Sequence, residues 1–462
     1  MSKNKYIADK SFYLMALSIA LPMIGQVMVT NFVSLLDNVM IGQIGTNEMN
    51  GVAIINQLVF VFNLTIFGAM SGPGIFGAQF FGKKDFKGQR YTFCFRLILS
   101  FLLSFIAIII LIVGKDFLIN MFISETSDYD MQIETYKYAS EYLKIILFTL
   151  LPFALSQALV SVLRESNETK VPMYGSLSAI GVNLFFNYCL IFGKLGFPKL
   201  GVAGGAIATV IAKLVEMTFL IIYAMRRTKR FPYFHEFYKG FKIPTNLIKG
   251  MVGQGWPLIV NEFLWSLAVA IIAQCYSYRG LEVVAARNIA STLTNLYSTI
   301  YLQMGCATGI IIGQVLGQSD FTKAKEYYFK LVGMILSIAL CVVIIVIPLA
   351  FVFPEIYNTT TEIKSLATFY LIVMALAIPI HSYTNICYFV LRSGGKSLLT
   401  FMYDAGFSWI IQIPVAWLLC YKTDFDIKTV MIIVTYIEGI KVIIGYRMVN
   451  SGIWIQNLVN DE

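Results

Sequence analysis

Two carboxylates stand in long runs that hold almost no other charge: Asp37, near the end of ALSIALPMIGQVMVTNFVSLLDNV, and Glu262, inside GQGWPLIVNEFLWSLAVAIIA. An ionisable group at bilayer depth costs about 2.5–3.5 kcal/mol on insertion scales, so each such group is a candidate for function. The chemistry open to a carboxylate there is to take up and release a cation, either a proton or Na⁺. At 100° per residue, Gln26, Thr30, Ser34 and Asp37 fall within about 80° of one another on a helix, so Asp37 ends a polar stripe. The duller reading of Asp37 is a helix-end residue in headgroup water. Glu262 has Asn261 beside it and Ser266 one turn on; its duller reading is a hydrogen-bonded structural carboxylate. His381 lies in another apolar run, as a packing residue or a proton carrier. Asn288, Thr292, Asn295 and Thr299 form a second stripe, within about 60°, suited either to lining a cavity or to bonding neighbouring helices.

Helices that cross lipid must position these residues. The chain has 462 residues, 58% hydrophobic and 13% charged, against roughly 25% charged in a soluble domain. A spanning helix needs about 20 apolar residues, and the apolar runs predict spans near 12–40, 50–77, 91–114, 137–163, 171–192 and 200–225, then 250–275, 286–315, 327–352, 364–391, 398–420 and 429–448. The expected fold is all-α and polytopic: twelve transmembrane helices in two parallel six-helix repeats around a central cavity. The expected lobes are 1–225 and 250–462, joined by a basic cytoplasmic linker, 226–249. The N-terminus MSKNKYIADK runs into a long span without a small-residue cleavage site, so no removable signal peptide is expected.

The net charge of +9 does not point to nucleic acid, because the basic residues fall in alternate short loops instead of one patch. Of 35 Lys and Arg, 22 lie in loops on the side of the N-terminus, from Lys3 to Arg447, and nine in the opposite loops. That asymmetry places both termini in the cytoplasm. The expected setting is the cell membrane, as a monomer with the bilayer and small organic molecules as partners and no obligate protein partner. The seven Cys lie in apolar stretches without the spacing of a metal site or disulfide framework, and act as small apolar residues.

The chain repeats itself. At an offset of 235 residues Pro22 meets Pro257, Gly45 meets Gly280, and GIFGAQFFGKKDF from Gly74 meets GIIIGQVLGQSDF from Gly309, with six of thirteen positions identical. Leu163 and Arg164 meet Leu391 and Arg392 at an offset of 228. An even number of spans per half makes the repeats parallel, an arrangement used for alternating access.

These segments carry a resemblance. LLDNVMIGQIGTNEM and SGPGIFGAQFFGKKDF in the first half, and GQGWPLIVNEFLWSL, TGIIIGQVLGQSDF and LRSGGKS in the second, resemble the multidrug and toxic compound extrusion family. The resemblance implies a cation-coupled antiporter that exports amphipathic, often cationic, organic compounds in exchange for H⁺ or Na⁺. It implies that Asp37 is the cation-coupling residue of the N-terminal half, with Asn183, Asn187 and Thr209 completing that site. Some relatives carry a second Asp where this chain has Asn187; one carboxylate with three neutral ligands suits Na⁺. In the other half the resemblance implies a site at Glu262, with Asn261, Asn288, Thr292, Asn295 and His381 as further candidates. No cofactor is expected beyond the coupling ion, and no metal beyond Na⁺ at Asp37.

Enzyme readings are weaker. Two DxD triplets, Asp128 with Asp130 and Asp424 with Asp426, fall in short outer loops, where solvated charge accounts for them. GGKS at Gly394 resembles a phosphate loop, but the first Gly of that motif would fall on Val390. With His235 and His381 alone there is no His cluster. Lys213 with Glu216, and Glu438 with Lys441, are spaced to pair on one helix face. Arg164 and Arg392 are expected to anchor loops. The competing classes are a lipid-linked oligosaccharide flippase, a channel and, remotely, a membrane-embedded transferase.

Overall fold

The computed structural model describes residues 5–123, 129–234 and 237–460. Lys3, Asp128 and His235 lie outside these. Among the described residues the regular structure is helical. The first half runs α1 (Lys10–Gly42), α2 (Thr46–Lys83), α3 (Phe86–Val113), α4 (Tyr129–Glu165), α5 (Lys170–Phe192) and α6 (Gly201–Arg226), and the second continues with α7 (Thr245–Ser277), α8 (Leu281–Gly317) and α9 (Phe321–Ile356). Then come α10, in two pieces (Thr361–Leu376 and Ile378–Ser393), α11 (Ser397–Lys422), and α12, also in two pieces (Ile427–Tyr436 and Gly439–Asn450).

Each of the twelve expected segments is helical, with ends within a few residues to a turn or two of those read from the sequence. Ten, among the described residues, are single helices long and apolar enough to cross a membrane, and the α10 pair makes an eleventh, bent by 46°. Pro379 follows the bend and removes the N–H that would continue the ladder. The last segment is two short helices broken at Ile437 and Glu438. The charge of Glu438 and Lys441 interrupts that apolar run. The α11 helix is irregular as well, with π-helical turns at Met402–Gly406 and Ser408–Gln412.

The described chain divides into two compact units. One comprises Met1–Ile24, Ala78–Lys84 and Gly253–Glu462; the other comprises Gly25–Gly77 and Asp85–Val252. In the second of these, the basic connection folds down: Phe231, Tyr233 and Phe234 are buried with Phe93, Leu163, Val171 and Leu220. Tyr233 shares a hydrogen bond with Ser166 at 2.7 Å. Arg96 and Glu165 form a fully buried ion pair, with Arg96 Nη2 2.8 Å from each carboxylate oxygen. Gly77 leaves room for it, since a Cβ there would come 2.1 Å from Glu165 Oε2.

The first unit explains the repeated glycine motif. A Cβ on Gly82 would lie 1.9 Å from the Gln314 carbonyl oxygen, and one on Gly317 would lie 1.9 Å from that of Gln79. Gln79 and Gln314, like Gly82 and Gly317, are equivalent positions of the repeat, so the two helix ends cross with backbones in contact, as small residues permit. The GGKS segment serves packing: a Cβ on Gly394 would meet the Trp454 carbonyl oxygen at 1.8 Å, and Gly395 has φ of 72°. Asp426 of the second DxD caps α12, accepting from Lys428 N at 3.1 Å.

Candidate functional site

Asp37 sits near the end of α1, and α5 brings two amides to it. Asn183 and Asn187 are one turn apart on α5 and both buried, so their side chains share a face. Asn187 Nδ2 donates to Asp37 Oδ1 at 2.7 Å. The Asn183 amide lies against both carboxylate oxygens: with its nitrogen turned that way it donates to Oδ1 at 2.9 Å and Oδ2 at 3.2 Å. Turned over, it faces them with its oxygen, while its nitrogen reaches Thr209 Oγ1 on α6 at 3.5 Å. The first orientation satisfies both ends of the amide, which offers a donor on one side and an acceptor on the other. Asn187 Oδ1 is buried with no hydrogen-bond partner among the described residues, an acceptor of the kind that calls for an explanation.

The four residues expected at this site therefore come together. The structure adds Tyr142 of α4, which lies in the field of Asp37 near Thr209 and donates to Asn56 Oδ1 at 3.4 Å. A Tyr in an otherwise ordinary amphipathic helix carries no sequence signal for this role. The donors around Asp37 are oxygens and neutral amides, and no ion pair to Asp37 occurs among the described residues. The rest of the stripe on α1 works elsewhere. Gln26 donates to Ser176 at 2.8 Å and accepts from Arg164 at 2.8 Å. Ser176 in turn donates to Glu216, which pairs with Lys213 at 3.0 Å as its spacing suggested. Arg164 is thus joined to Gln26 of a neighbouring span rather than only to a loop.

In the second half, Asn261 is 1% exposed and ties α7 to the π-turn of α11. Its Nδ2 donates to Asp404 Oδ2 at 3.2 Å and to the Tyr388 hydroxyl at 3.3 Å, and its Oδ1 accepts from Ala405 N at 3.2 Å. The Tyr388 hydroxyl donates to Glu262 Oε1 at 3.3 Å. Lys441 does not pair with Glu438 as expected from their spacing: its Nζ lies 2.8 Å from Asp404 Oδ1, and Glu438 Oε2 lies 2.8 Å from His381 Nδ1. The break in α12 at Ile437 and Glu438 removes the regular helix face on which that pairing depended. Glu262 and Asn261 thus belong to a polar network that includes Asp404, with the His381 and Glu438 pair beside it; Asp404 carries charge in an apolar run and is not among the residues expected from the sequence. The stripe on α8 stands apart. Asn288 and Asn295 are exposed, and Thr292 and Thr299 donate to the carbonyls of Asn288 and Asn295 on their own helix.

Comparison with known proteins fits this twofold plan. The MatE family profile matches residues 22–189 and again 257–418, two copies whose starts differ by the 235 residues of the internal repeat. The chain belongs to the MatE family. Among MatE relatives, the probable multidrug resistance protein NorM of Thermotoga maritima is 26% identical over 73% of this chain and 70% of its own length. The uncharacterized transporter YisQ of Bacillus subtilis is 23% identical over 97% of this chain and 96% of its own. The fold is that of a MOP-superfamily transporter from Pyrococcus furiosus, with TM-score 0.85, 18% identity and coverage of 96% and 98% of the two chains. It is equally that of a MATE-family transporter solved in an outward-facing conformation, with TM-score 0.85, 20% identity and coverage of 95% and 96%. The chain is accordingly a multi-pass membrane transporter and not an enzyme.

Proposed function

We propose that this transporter is a secondary active antiporter that exports amphipathic, cationic organic compounds in exchange for H⁺ or Na⁺ by alternating access. The observation that carries the reading is Asp37, a carboxylate without a cationic partner among the described residues, held among neutral oxygens, one of which, Asn187 Oδ1, is buried and unbonded. Oxygen donors of this kind suit a hard monovalent cation, and the Asn183 and Asn187 amides offer the carboxylate N–H donors as well. Alternation then follows from charge compensation: the carboxylate is tolerated in its apolar setting when an ion covers it, and exposed to water when the ion leaves.

The energetics suffice. One charge falling through 100 mV releases about 2.3 kcal/mol, which at 1.36 kcal/mol per tenfold supports a substrate gradient of about fifty-fold. The substrate reading rests on sign: Asp37 and Glu262 are the carboxylates set in the spans for an ion or a cationic molecule. The charge asymmetry of the loops supports the cell membrane with both termini in the cytoplasm, and a monomer accounts for the site, since each of its ligands comes from one chain.

The test is ethidium movement in proteoliposomes under an imposed Na⁺ or pH gradient, for wild type and Asp37→Asn. Gradient-driven movement that Asp37→Asn abolishes is the expected result and names the ion. Movement that survives Asp37→Asn unchanged overturns the role of Asp37, and no movement under either gradient shifts the reading to a flippase of lipid-linked oligosaccharides.

A further inference from the structure

The second half sets three half-buried carboxylates, Glu262, Asp404 and Glu438, among its helices, but in a setting unlike that of Asp37. Lys441 Nζ lies 2.8 Å from Asp404 Oδ1, with 7% of its side chain exposed. The ring centroids of Tyr403 and Phe407 lie 5.3 and 5.8 Å from the same ammonium. The Tyr403 hydroxyl fixes the backbone there, donating to the Lys441 carbonyl at 3.1 Å. Glu438, three residues earlier, acts on Lys441 electrostatically and is held by His381. Glu262, farther along, is bonded by Tyr388 and lies in the field of Arg392. A carboxylate, two aromatic faces and a second carboxylate nearby make a cage for a cation. Here the occupant is attached to the chain.

We infer that Lys441 is a tethered cation filling a cation cage in the C-terminal half, so that this half exchanges no ion and coupling is confined to Asp37. The second clause rests on the antiport reading; the first does not. The physical reason is entropic and electrostatic. A free Na⁺ entering the cage gives up translational freedom and hydration, whereas Lys441 lost its translational freedom when the chain was made. Once its ammonium neutralises Asp404, a second cation gains little attraction and meets like-charge repulsion at about the same place. Three of the helices that build the cage depart from regular geometry there: α10 bends before His381, α11 is π-helical at Asp404, and α12 breaks at Glu438. Such departures turn side chains inward at functional positions.

The experiment counts ²²Na⁺ bound at equilibrium to purified protein at alkaline pH, in an Asp37→Asn background so that the first site does not contribute. Asp37→Asn alone, and Asp37→Asn with Lys441→Arg, are expected to bind none; Asp37→Asn with Lys441→Met is expected to bind one Na⁺ per chain, lost again on adding Asp404→Asn. Lys441→Gln, which keeps a donor to Asp404, carries the same arm if the Met variant does not elute as folded protein on gel filtration. Na⁺ bound by Asp37→Asn alone overturns the inference, because the C-terminal half would then already exchange an ion. A folded Lys441→Met or Lys441→Gln variant, in the Asp37→Asn background, that binds none overturns it as well. Neither result depends on whether Asp37→Asn still transports, which is the separate test of antiport.

Discussion

The Asp37 cluster and the Asp404 cluster each set a carboxylate among apolar helices, and they are solved differently. Around Asp37 the neighbours are Asn183, Asn187, Thr209 and Tyr142, all neutral. Around Asp404 the neighbours include Lys441 at 2.8 Å, with the His381 and Glu438 pair beside it. A buried charge needs compensation; Lys441 supplies it at Asp404, and on the proposed reading a solute supplies it at Asp37. The ion pairs Arg96 with Glu165 and Lys213 with Glu216 also lie in the first half and are not among the ligands of Asp37. On the proposed reading the two halves divide their labour: the Asp37 carboxylate is exchangeable while that of Asp404 is held by Lys441.

The sharpest way to break this comparison is to unpair a permanent charge. Arg96→Ala leaves Glu165 buried without its cation and is expected to cost about 3–5 kcal/mol, read as a large fall in the temperature at which the purified protein loses its gel-filtration peak. Lys441→Met should destabilise by a similar or smaller amount in Na⁺-free buffer, and Na⁺ should restore part of the loss, because binding to the folded state alone raises stability. Added Na⁺ should stabilise Arg96→Ala no more than it stabilises wild type. Next in size, Gly317→Ala and Gly82→Ala each push a Cβ to 1.9 Å from a carbonyl oxygen of the facing helix. Each should cost about 1–3 kcal/mol, as overpacking does, and near-equal losses in thermal unfolding would confirm that the repeat is symmetric at its contact. Asn187→Asp should change stability least. Two carboxylates in hydrogen-bond contact cannot both stay ionised, so they share a proton; transport should then follow a pH gradient and lose its response to Na⁺, measured by dye efflux from proteoliposomes.

Much of this was legible in the sequence. The spans showed because lipid demands unbroken apolar runs, and the repeat showed because glycines at backbone contacts, such as Gly82 and Gly317, tolerate no replacement. Asp37 and Glu262 showed because charge is conspicuous in apolar sequence. Asp404 was equally conspicuous in LLTFMYDAGFSWII, and the same criterion would have found it. Other features were hidden for physical reasons. Tyr142 and Asn56 are ordinary residues whose role depends on helix packing. The exchange of partners by Lys441 and Glu438 depends on a break in α12 that three-residue spacing takes for continuous helix. The burial of the basic connection depends on its interleaved aromatics, Phe231, Tyr233 and Phe234, which charge counting overlooks.

The most direct test of the division of labour compares Asp37→Asn with Glu262→Gln in proteoliposomes, following efflux of a cationic dye with and without an imposed ion gradient. The account predicts that Asp37→Asn becomes indifferent to the gradient, while Glu262→Gln still responds to it with an altered apparent affinity for the dye. Loss of the gradient response in Glu262→Gln, with the response intact in Asp37→Asn, would contradict it.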